Sequence, residues 1–253
     1  MKIKVISLNM WWGGNLFPAI LDFLRTESPD IVMLQEVYNG TKPEFEDRYR
    51  SMQVLNDSLG YAYSDFVQAF IHDSPVGMVP QGNAVLSRFP ISARAYSFIT
   101  EPIKESYKDL PEEWPIEPRV LQHVELDSPA GEINVFNMHG IWDLAGDNYS
   151  PERQRMGETI LEETRGKRNV ILGGDSNATT GNQLMRELEK PFRNAFGQEL
   201  KTTFNMRRKK NPGYATSVVD VIYVSPSLKV LSAGCPDVDI SDHLPLVVNL
   251  ELA

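Results

Sequence analysis

The order of apolar and polar positions predicts alternating strands and helices in the first sixty residues. Lys2–Asn9 mixes apolar and polar side chains as a strand does, whereas Ile31–Gln35 is an almost unbroken apolar run, which is typical of a strand buried on both faces. Asn15–Glu27 is predicted to be a helix, and Lys42–Leu59 a second helix with Gly60 as its stop. The apolar face of the first helix consists of Leu16, Ile20, Phe23 and Leu24.

In the remaining residues short strand-like runs predominate, and turn signals separate them. Ser150–Arg165 is predicted to be a helix, because serine followed by proline is a typical helix start, and Asn182–Glu189 is predicted to be another. Many strands and about four helices without a linker argue for one α/β sandwich domain over residues 1–253. The strands predicted in this part are Tyr61–Ile71, Asn83–Ser87, Ala93–Phe98, Arg119–Leu126, Glu132–Met138, Asn169–Leu172, Ser217–Val224, Leu228–Ser232 and Leu244–Leu250.

The charge balance makes the chain acidic. Its 253 residues include 25 lysines and arginines against 34 aspartates and glutamates, which gives a formal net charge of −9. The share of hydrophobic residues, 42%, is that of an ordinary globular protein and excludes a disordered or collagen-like chain. The acidity argues against a protein that bulk charge holds to nucleic acid, but it is compatible with an enzyme that has a local basic groove.

Cysteine content and hydropathy bear on the cellular setting. With Cys235 as the one cysteine, no disulfide can form within the chain, and we expect a buried or half-buried thiol rather than a nucleophile. No stretch approaches the ~20 apolar residues of a membrane helix, and the N-terminus begins directly with a strand pattern. We therefore expect a cytoplasmic protein that does not insert into a membrane, and we expect a monomer.

Two loops have unusual composition. Thr100–Pro118 is acidic and contains Tyr107 and Trp114, and Arg207–Lys210 is a run of four basic residues. Each loop has two interpretations, a solvated surface loop or the rim of a substrate groove, and the sequence leaves both open.

Polar side chains with metal-binding or catalytic chemistry stand at or near the ends of the predicted strands. Strand ends form the crevice where ligands bind in open α/β sheets. Asp220 lies between valines, and a carboxylate there is costly to bury unless it is paired, so it needs a partner such as His243. The full set is Asn9, Glu36, His139, Asp175, Asn177, Asp220, Asp242 and His243.

Three of these residues offer hard oxygen atoms to a metal ion. The carboxylates of Glu36 and Asp242 and the side-chain carbonyl of Asn9 suit Mg²⁺ or Mn²⁺, and the absence of a cysteine cluster makes a structural zinc site improbable. A hard dication among acids, with histidines and an asparagine nearby, is the arrangement that phosphoester hydrolysis uses.

Seven short motifs occur in an order that resembles a known family. They are Ser7-Leu8-Asn9, Leu34-Gln35-Glu36-Val37, Gly82–Pro90, Asn137-Met138-His139, Gly173-Gly174-Asp175-Ser176-Asn177, Val219–Ser225 and Ser241-Asp242-His243-Leu244-Pro245. Together they resemble the endonuclease/exonuclease/phosphatase superfamily, which includes deoxyribonuclease I, AP endonucleases, inositol polyphosphate phosphatases and sphingomyelinases. The resemblance runs from about residue 3 to residue 250 and implies a four-layer α/β/β/α sandwich, with two mixed β-sheets flanked by helices.

The resemblance also implies roles for the residues around a metal ion. Glu36 would be the principal ligand, joined by Asn9 and Asp242 directly or through water. Asp175 would position and activate the attacking water.

Further roles concern the phosphate group. By the same resemblance Asn177 would donate a hydrogen bond to it, Asp220 would keep His243 oriented and protonated, and His139 would be a second catalytic histidine. Arg119 matches an arginine that contacts phosphate in several branches of the superfamily, and its other interpretation is an arginine at a strand edge.

Some positions differ from the motifs of particular branches of the superfamily and argue against the activities of those branches. AP endonucleases carry a tyrosine where this chain has His139 and an acid where it has Trp11, and deoxyribonuclease I carries an arginine where it has Tyr38. The sequence therefore predicts a metal-dependent phosphodiesterase or nuclease that acts on a phosphoester substrate, with nucleic acid as one candidate. The alternatives are a small-molecule or lipid-headgroup phosphatase, sphingomyelinase-like enzymes included, and, more remotely, a non-catalytic binding module of the same fold.

Overall fold

Twelve strands and four α-helices make up most of the regular structure in the computed structural model, which describes residues 1–102, 106–108, 117–142 and 147–252. The strands are β1 (Lys2–Asn9), β2 (Ile31–Tyr38), β3 (Tyr63–Ser74), β4 (Gly77–Ser87), β5 (Ile91–Phe98), β6 (Val120–Ser128), β7 (Gly131–His139), β8 (Val170–Asp175), β9 (Arg193–Asn194), β10 (Asp220–Val224), β11 (Leu228–Gly234) and β12 (Leu246–Leu252). The helices are α1 (Phe17–Glu27), α2 (Ser51–Leu59), α3 (Pro151–Glu163) and α4 (Gln183–Leu188), with short 3-10 turns at Asp47–Arg50 and Pro212–Thr216.

The strands form two six-stranded sheets. The order is β11-β12-β1-β2-β4-β3 in the first sheet and β5-β6-β7-β8-β10-β9 in the second. Each sheet is mixed, because β1 runs parallel to β2 and β7 runs parallel to β8, while the other neighbours are antiparallel. The two parallel pairs point their carboxyl ends at the same region, and this region contains the candidate site.

The predicted four-layer sandwich is confirmed by the distribution of the core. Apolar side chains from both sheets meet in one cluster between them, α1 and α2 cover the outer face of the first sheet, and α3 and α4 cover the outer face of the second. Residues 31–34 of strand β2 are all apolar because both faces of the strand are buried there. Ile31 and Met33 face the cluster between the sheets, and Val32 and Leu34 face the helices.

Buried amide side chains connect the two sheets directly below the candidate site. The side-chain carbonyl of Asn137 on β7 accepts a hydrogen bond from Gln35 Nε2 on β2 at 2.7 Å. The Asn137 amide nitrogen donates to the carbonyl oxygens of Leu34 and Ala84, each at 3.0 Å, and to Gln122 Oε1 at 3.2 Å. The bonds to Gln35, Leu34 and Ala84 cross the interface and fix the sheets relative to one another, whereas the bond to Gln122 lies within the second sheet.

Most predicted elements are present with shifted ends. The largest correction concerns the helix predicted over Lys42–Leu59, which is wrong in its first part, because residues 42–46 are not helical and α2 begins only at Ser51. Pro43 keeps only the preceding Lys42 out of helical angles, and residues 43–45 form a turn in which the Phe45 N–H donates to the Lys42 carbonyl oxygen. Strand β2 extends beyond Gln35 to Tyr38, so Glu36 lies within the strand and not after it. The two-residue strand β9 and the turn at Pro212–Thr216 were not predicted.

The helix start predicted at Ser150 is confirmed, and the helix predicted over Asn182–Glu189 is present as α4, with Asn182 as its cap. Ser150 and Asn182 precede α3 and α4, and their side chains accept hydrogen bonds from the backbone N–H groups of Arg153 and Leu184. The described residues contain no helix that is long and apolar enough to cross a bilayer. The single-domain organisation over residues 1–253 stays a prediction.

The acidic loop predicted over Thr100–Pro118 is described only in part. Tyr107 is buried, pairs with β3 through backbone hydrogen bonds to Ile71 and Asp73, and packs its ring on Phe70. This part of the loop is therefore anchored to the edge of the first sheet. Trp114 lies outside the described residues.

Replacing Asn137 by alanine should lower the free energy of unfolding by about 2–4 kcal/mol, because Gln35 and two backbone carbonyls would lose a buried partner. Chemical denaturation followed by circular dichroism measures the change. Asn249→Ala is the matched control, because the Asn249 amide donates only to Ser232 Oγ at the exposed surface. Its cost should stay within about 0.5 kcal/mol, and similar losses in both variants would contradict the role of the amide network.

Candidate functional site

The nine candidate site residues converge in one cleft where strand ends from both sheets meet. Strand register aligns them, since His139 on β7 stands beside Asp175 on β8, and Asp175 stands opposite Asp220 on β10. The first sheet contributes Asn9 and Glu36, and Asp242 and His243 lie in the segment before β12. Seven of the nine side chains are buried, and Glu36 and Asn177 are partly exposed.

Glu36 is held in the cleft by an irregularity of β2. The pairing of β2 with β4 shifts between Leu34 and Val37, and Glu36 has a φ of 58°, in the left-handed region that a glutamate rarely adopts. Its carboxylate accepts hydrogen bonds from Asn9 Nδ2 at 2.9 Å and from the backbone N–H of Trp12 at 2.6 Å. Burial raises the pKa of Glu36, and the nearby carboxylate of Asp242 raises it further. The negative charge at Glu36 is thus only partly compensated.

The side chain of Asn9 forms hydrogen bonds with carboxylates from both sheets. Its amide nitrogen donates to Glu36 Oε1 at 2.9 Å and also to Asp175 Oδ2 at 3.1 Å. Its carbonyl oxygen accepts the backbone N–H of Trp11 at 3.0 Å. In this structure Asn9 therefore presents its donor side to the carboxylates, and the oxygen predicted to bind metal is turned to the backbone.

The segment after Asn9 is a left-handed turn. Trp11 and Trp12 have φ values of 60° and 52°, and Gly13 and Gly14 continue with positive φ. Glycine is required at position 13, because a Cβ there would lie 2.3 Å from the carbonyl oxygen of Arg48. The turn directs the Trp12 N–H at Glu36 and leaves the Trp12 side chain 43% exposed at the edge of the cleft. Backbone strain of this kind is characteristic of functional sites.

Asp175 lies at the centre of the cleft. Its Oδ1 accepts the backbone N–H of Asn177 at 2.8 Å, and its Oδ2 lies 3.7 Å from His139 Nε2 and 3.8 Å from His243 Nε2. Gly174 allows this approach, because its φ is 132° and a Cβ there would lie 1.9 Å from the Met138 carbonyl oxygen. A single carboxylate thus faces two imidazole rings.

His243 forms a buried pair with Asp220, the partner expected from the sequence. The His243 Nδ1 atom lies 2.8 Å from Asp220 Oδ2. Burial opposes the charged ring, but the carboxylates of Asp220, Asp175 and Asp242 outweigh it and raise the pKa of His243 to about 10. The ring is therefore an imidazolium at neutral pH, with Nδ1–H donated to Asp220 and Nε2–H directed toward Asp175.

His139 has the opposite electrostatic environment. Burial lowers its pKa well below the ordinary value, and the positive charges of Arg119 and His243 lower it further. Arg119 Nη1 lies 2.8 Å from the His139 ring nitrogens, and the guanidinium also contacts Glu117 at 2.8 and 3.0 Å. His139 is thus neutral and accepts a hydrogen bond from an arginine whose charge Glu117 balances, so its 3.7 Å approach to Asp175 is not an ion pair.

Asn177 is fixed by the backbone around it. Asn177 has a φ of 51°, and its side-chain nitrogen donates to the Gly140 carbonyl oxygen at 3.1 Å. The backbone carbonyl oxygen of Asn177 accepts a hydrogen bond from Arg153 Nη2 at 2.5 Å. These contacts place the Asn177 amide beside Asp175 at the mouth of the cleft.

Lys209 is a site residue that the sequence did not identify individually. Its ammonium group lies 2.7 Å from Asp242 Oδ2. Burial opposes its charge, but the carboxylates of Asp242 and Glu36 outweigh it and raise the pKa of Lys209. In the sequence this lysine is one of four consecutive basic residues, and nothing in that run marks it as the one that enters the cleft.

The two arginines of the basic loop are neutralised within the chain. Arg207 and Arg208 each form a two-bond ion pair, with Asp237 and Asp239 respectively. Because three of the four basic residues are paired with acids of the segment before β12, the loop offers much less free positive charge than its sequence indicates.

Two groups of residues bear on metal binding. Ligand atoms of Asp175, Asp220 and His243 lie within 4.8 Å of one another, and within this group His243 Nδ1 is already in contact with Asp220 Oδ2 at 2.8 Å. Glu36 and Asp242 instead combine two hard carboxylates that repel each other and raise the Glu36 pKa. This second group fits a hard dication.

Cys235 has no part in the cleft chemistry. The thiol is half-buried and packs against the cluster between the sheets, and burial raises its pKa to about 12.

The model of the endonuclease/exonuclease/phosphatase family matches residues 6–243 of the chain. A solved endonuclease/exonuclease/phosphatase from Beutenbergia cavernae DSM 12333 has 20% sequence identity and a TM-score of 0.76, with 100% of this chain and 72% of that chain covered. The human Nocturnin catalytic domain with bound sulfate has 18% identity and a TM-score of 0.71, covering 100% and 95%. A mannosyl-6-phosphatase from Bacteroides thetaiotaomicron VPI-5482 has 20% identity and a TM-score of 0.69, covering 99% and 100%.

At these identities the solved structures show a shared fold. No curated protein is similar enough in sequence to match the chain.

The His243 ring should remain protonated from about pH 6 to pH 8 in the metal-free protein, since its pKa is raised to about 10 and the charge is lost only as the pH rises toward that value. NMR of the imidazole nitrogens measures this directly. Asp220→Asn should lower the His243 pKa, because less negative charge would then offset the effect of burial, which disfavours the protonated ring. The neutral His139 ring is the internal control, and a wild-type His243 that titrates near pH 6.5 would contradict the ion pair.

Proposed function

The chain belongs to the endonuclease/exonuclease/phosphatase family, whose members are mostly phosphoester hydrolases, and we propose that it is a phosphoester hydrolase that depends on Mg²⁺ or Mn²⁺. The observation that carries the proposal is Asp175, a buried carboxylate placed between a protonated and a neutral imidazole and linked through Asn9 to Glu36. This combination provides a base, two hydrogen-bonding rings and a metal-binding carboxylate in one cleft.

Glu36 and Asp242 are the proposed metal ligands. Their carboxylates are close enough to raise the pKa of Glu36, and a divalent cation would relieve that repulsion. When bound, the ion would polarise a phosphoryl oxygen and stabilise charge on the leaving oxygen. Asn9 orients Glu36 through its amide nitrogen, and its own ligation of the metal stays a prediction.

Asp175 is proposed to position the attacking water and accept its proton. Asn177 N–H and Asn9 Nδ2 hold the two carboxylate oxygens, so that the carboxylate has a fixed direction. A carboxylate held this way contributes mainly by orientation and by general-base catalysis.

The surrounding donors are proposed to stabilise negative charge on the phosphate during attack. His243 would direct Nε2–H at the phosphate, because Asp220 engages its other nitrogen. The neutral His139 ring and the Asn177 amide would add uncharged hydrogen bonds, and Arg119 would hold the His139 ring in place. Contact between Arg119 and the phosphate itself stays a prediction, because Glu117 and His139 engage its guanidinium in this structure.

Two substrate classes remain candidates, a nucleic acid and a small phosphoester. The charges favour the small phosphoester, because the full chain has a net charge of −9 and ion pairs neutralise three of the four basic residues of the loop. The mannosyl-6-phosphatase among the structural neighbours acts, by its name, on a sugar phosphate. We therefore rank a small-molecule phosphoester above the nuclease substrate that the sequence favoured.

Asp175→Asn should lower the turnover of phosphoesters by about 10²–10⁴-fold, because it removes the proposed base while keeping the shape of the side chain. Release of 4-nitrophenol from mono- and bis(4-nitrophenyl) phosphate with Mg²⁺ or Mn²⁺ measures the effect. Asp127→Asn is the matched control, because Asp127 is an exposed aspartate of the same sheet, and it should retain full activity. A pure wild-type protein that hydrolyses no phosphoester in a broad panel with either metal would refute the proposed function.

The salt dependence of kcat/KM tests the substrate class separately. For a small phosphoester, kcat/KM should change little between about 50 and 200 mM salt, whereas a protein that contacts several phosphates of a nucleic acid loses orders of magnitude in affinity. Arg207→Gln, which removes an exposed paired cation, should leave the salt response unchanged. Efficient nicking of plasmid DNA with a steep salt dependence that flattens in Arg207→Gln would favour the nuclease instead.

A further inference from the structure

Lys209 is held in the cleft by contacts on three sides. Its ammonium group lies 2.7 Å from Asp242 Oδ2, 5.7 Å from the Phe204 ring centre and 5.6 Å from the Tyr214 ring centre. The two aromatic rings stabilise the cation, although the lysine side chain stays 29% exposed. Lys209 is therefore a fixed positive charge beside a proposed metal ligand.

The neighbouring residues of the same loop show that this placement is specific. Arg207 and Arg208 pair with Asp237 and Asp239 at the exposed surface, whereas Lys209 alone of the three turns inward to an acid of the cleft. Asp242 is 7% exposed, while the side chains of Asp237 and Asp239 are 75% and 37% exposed.

The charges that face the cleft, among the residues that the structure describes, can be compared directly. Three cations of the cleft are each in contact with a carboxylate: Arg119 with Glu117 at 2.8 Å, Lys209 with Asp242 at 2.7 Å, and the His243 ring with Asp220 at 2.8 Å. Among the described residues Glu36 and Asp175 have no lysine or arginine within 4.0 Å, and the histidine rings nearest to Asp175 lie at 3.7 and 3.8 Å. Two negative charges remain, which one divalent cation compensates.

We propose that Lys209 is a built-in counter-ion that limits the cleft to a single divalent cation. Its role is to set the charge at Asp242, and so it is a positioning residue and not a catalytic one. The inference rests on the proposed function, because it takes Glu36 and Asp242 as the metal ligands. Without the Lys209 charge three negative charges would face the cleft, so a dication would bind more tightly or a second one would enter.

Titration of the full-length chain with Mn²⁺, followed by the EPR signal of the free ion, tests the proposal without an activity readout. Wild type should bind one Mn²⁺. Lys209→Gln and Lys209→Met should bind Mn²⁺ about tenfold or more tightly, or bind a second equivalent. The methionine variant can keep the contact with Phe204 and Tyr214, so it provides a second neutral substitution if the glutamine variant does not fold.

Two control variants test whether the effect of Lys209 on Mn²⁺ binding comes from its positive charge. Lys209→Arg keeps the positive charge and should bind one Mn²⁺ as wild type does. Arg208→Gln removes an equivalent cation that is paired outside the cleft, and it should leave Mn²⁺ binding unchanged. Folded neutral variants with wild-type affinity and stoichiometry would overturn the role of Lys209 alone. A wild type that binds no Mn²⁺ would overturn the metal dependence of the proposed function and this inference with it.

Discussion

The candidate site depends on one side-chain amide. Asn9 Nδ2 donates to Glu36 in the first sheet and to Asp175 in the second, so one nitrogen sets the distance between the proposed metal ligand and the acid that would face the attacking water. Both carboxylates are otherwise attached to separate sheets, and catalytic geometry of this kind tolerates little displacement. The buried bond between Gln35 and Asn137, at the base of the cleft, supports Asn9 by fixing the same two sheets.

The strained backbone around the cleft brings two polar groups together. Glu36 adopts a positive φ at a bulge, and Trp11 and Trp12 form a left-handed turn, which are conformations that bulky residues avoid. The strain turns the Trp12 N–H and the Glu36 carboxylate toward each other, and a regular strand followed by a regular turn would not bring them together. Such strain persists only where the surrounding packing is strong enough to hold it, as it is for β2 between two apolar layers.

Local sequence patterns predicted much of this arrangement. Asp175 and His139 were identifiable because each ends an apolar strand, and the pairing of Asp220 with His243 followed from the cost of burying an isolated carboxylate. Lys209 was not identifiable, because its partner lies 33 positions away and its neighbours form the same kind of ion pair at the surface. The helix predicted before Ser51 was wrong for a similar reason, because a backbone hydrogen bond from Gly40 to the Tyr49 carbonyl oxygen, nine positions away, helps to hold this segment in turns.

The distribution of charge explains how an acidic chain can bind an anionic substrate. Arg119, Lys209 and His243 all lie in the cleft, yet each is committed to a carboxylate of the same chain, so the cations orient neighbouring groups and leave little free charge to attract a phosphate. The uncompensated charge in the cleft is negative and remains at Glu36 and Asp175, because Lys209 pairs with Asp242. A bound dication would neutralise this charge and present a positive centre to a phosphate oxygen, so that phosphate affinity would arise only in the metal-loaded protein. Substrate binding and metal binding would then be linked through the carboxylates of the cleft.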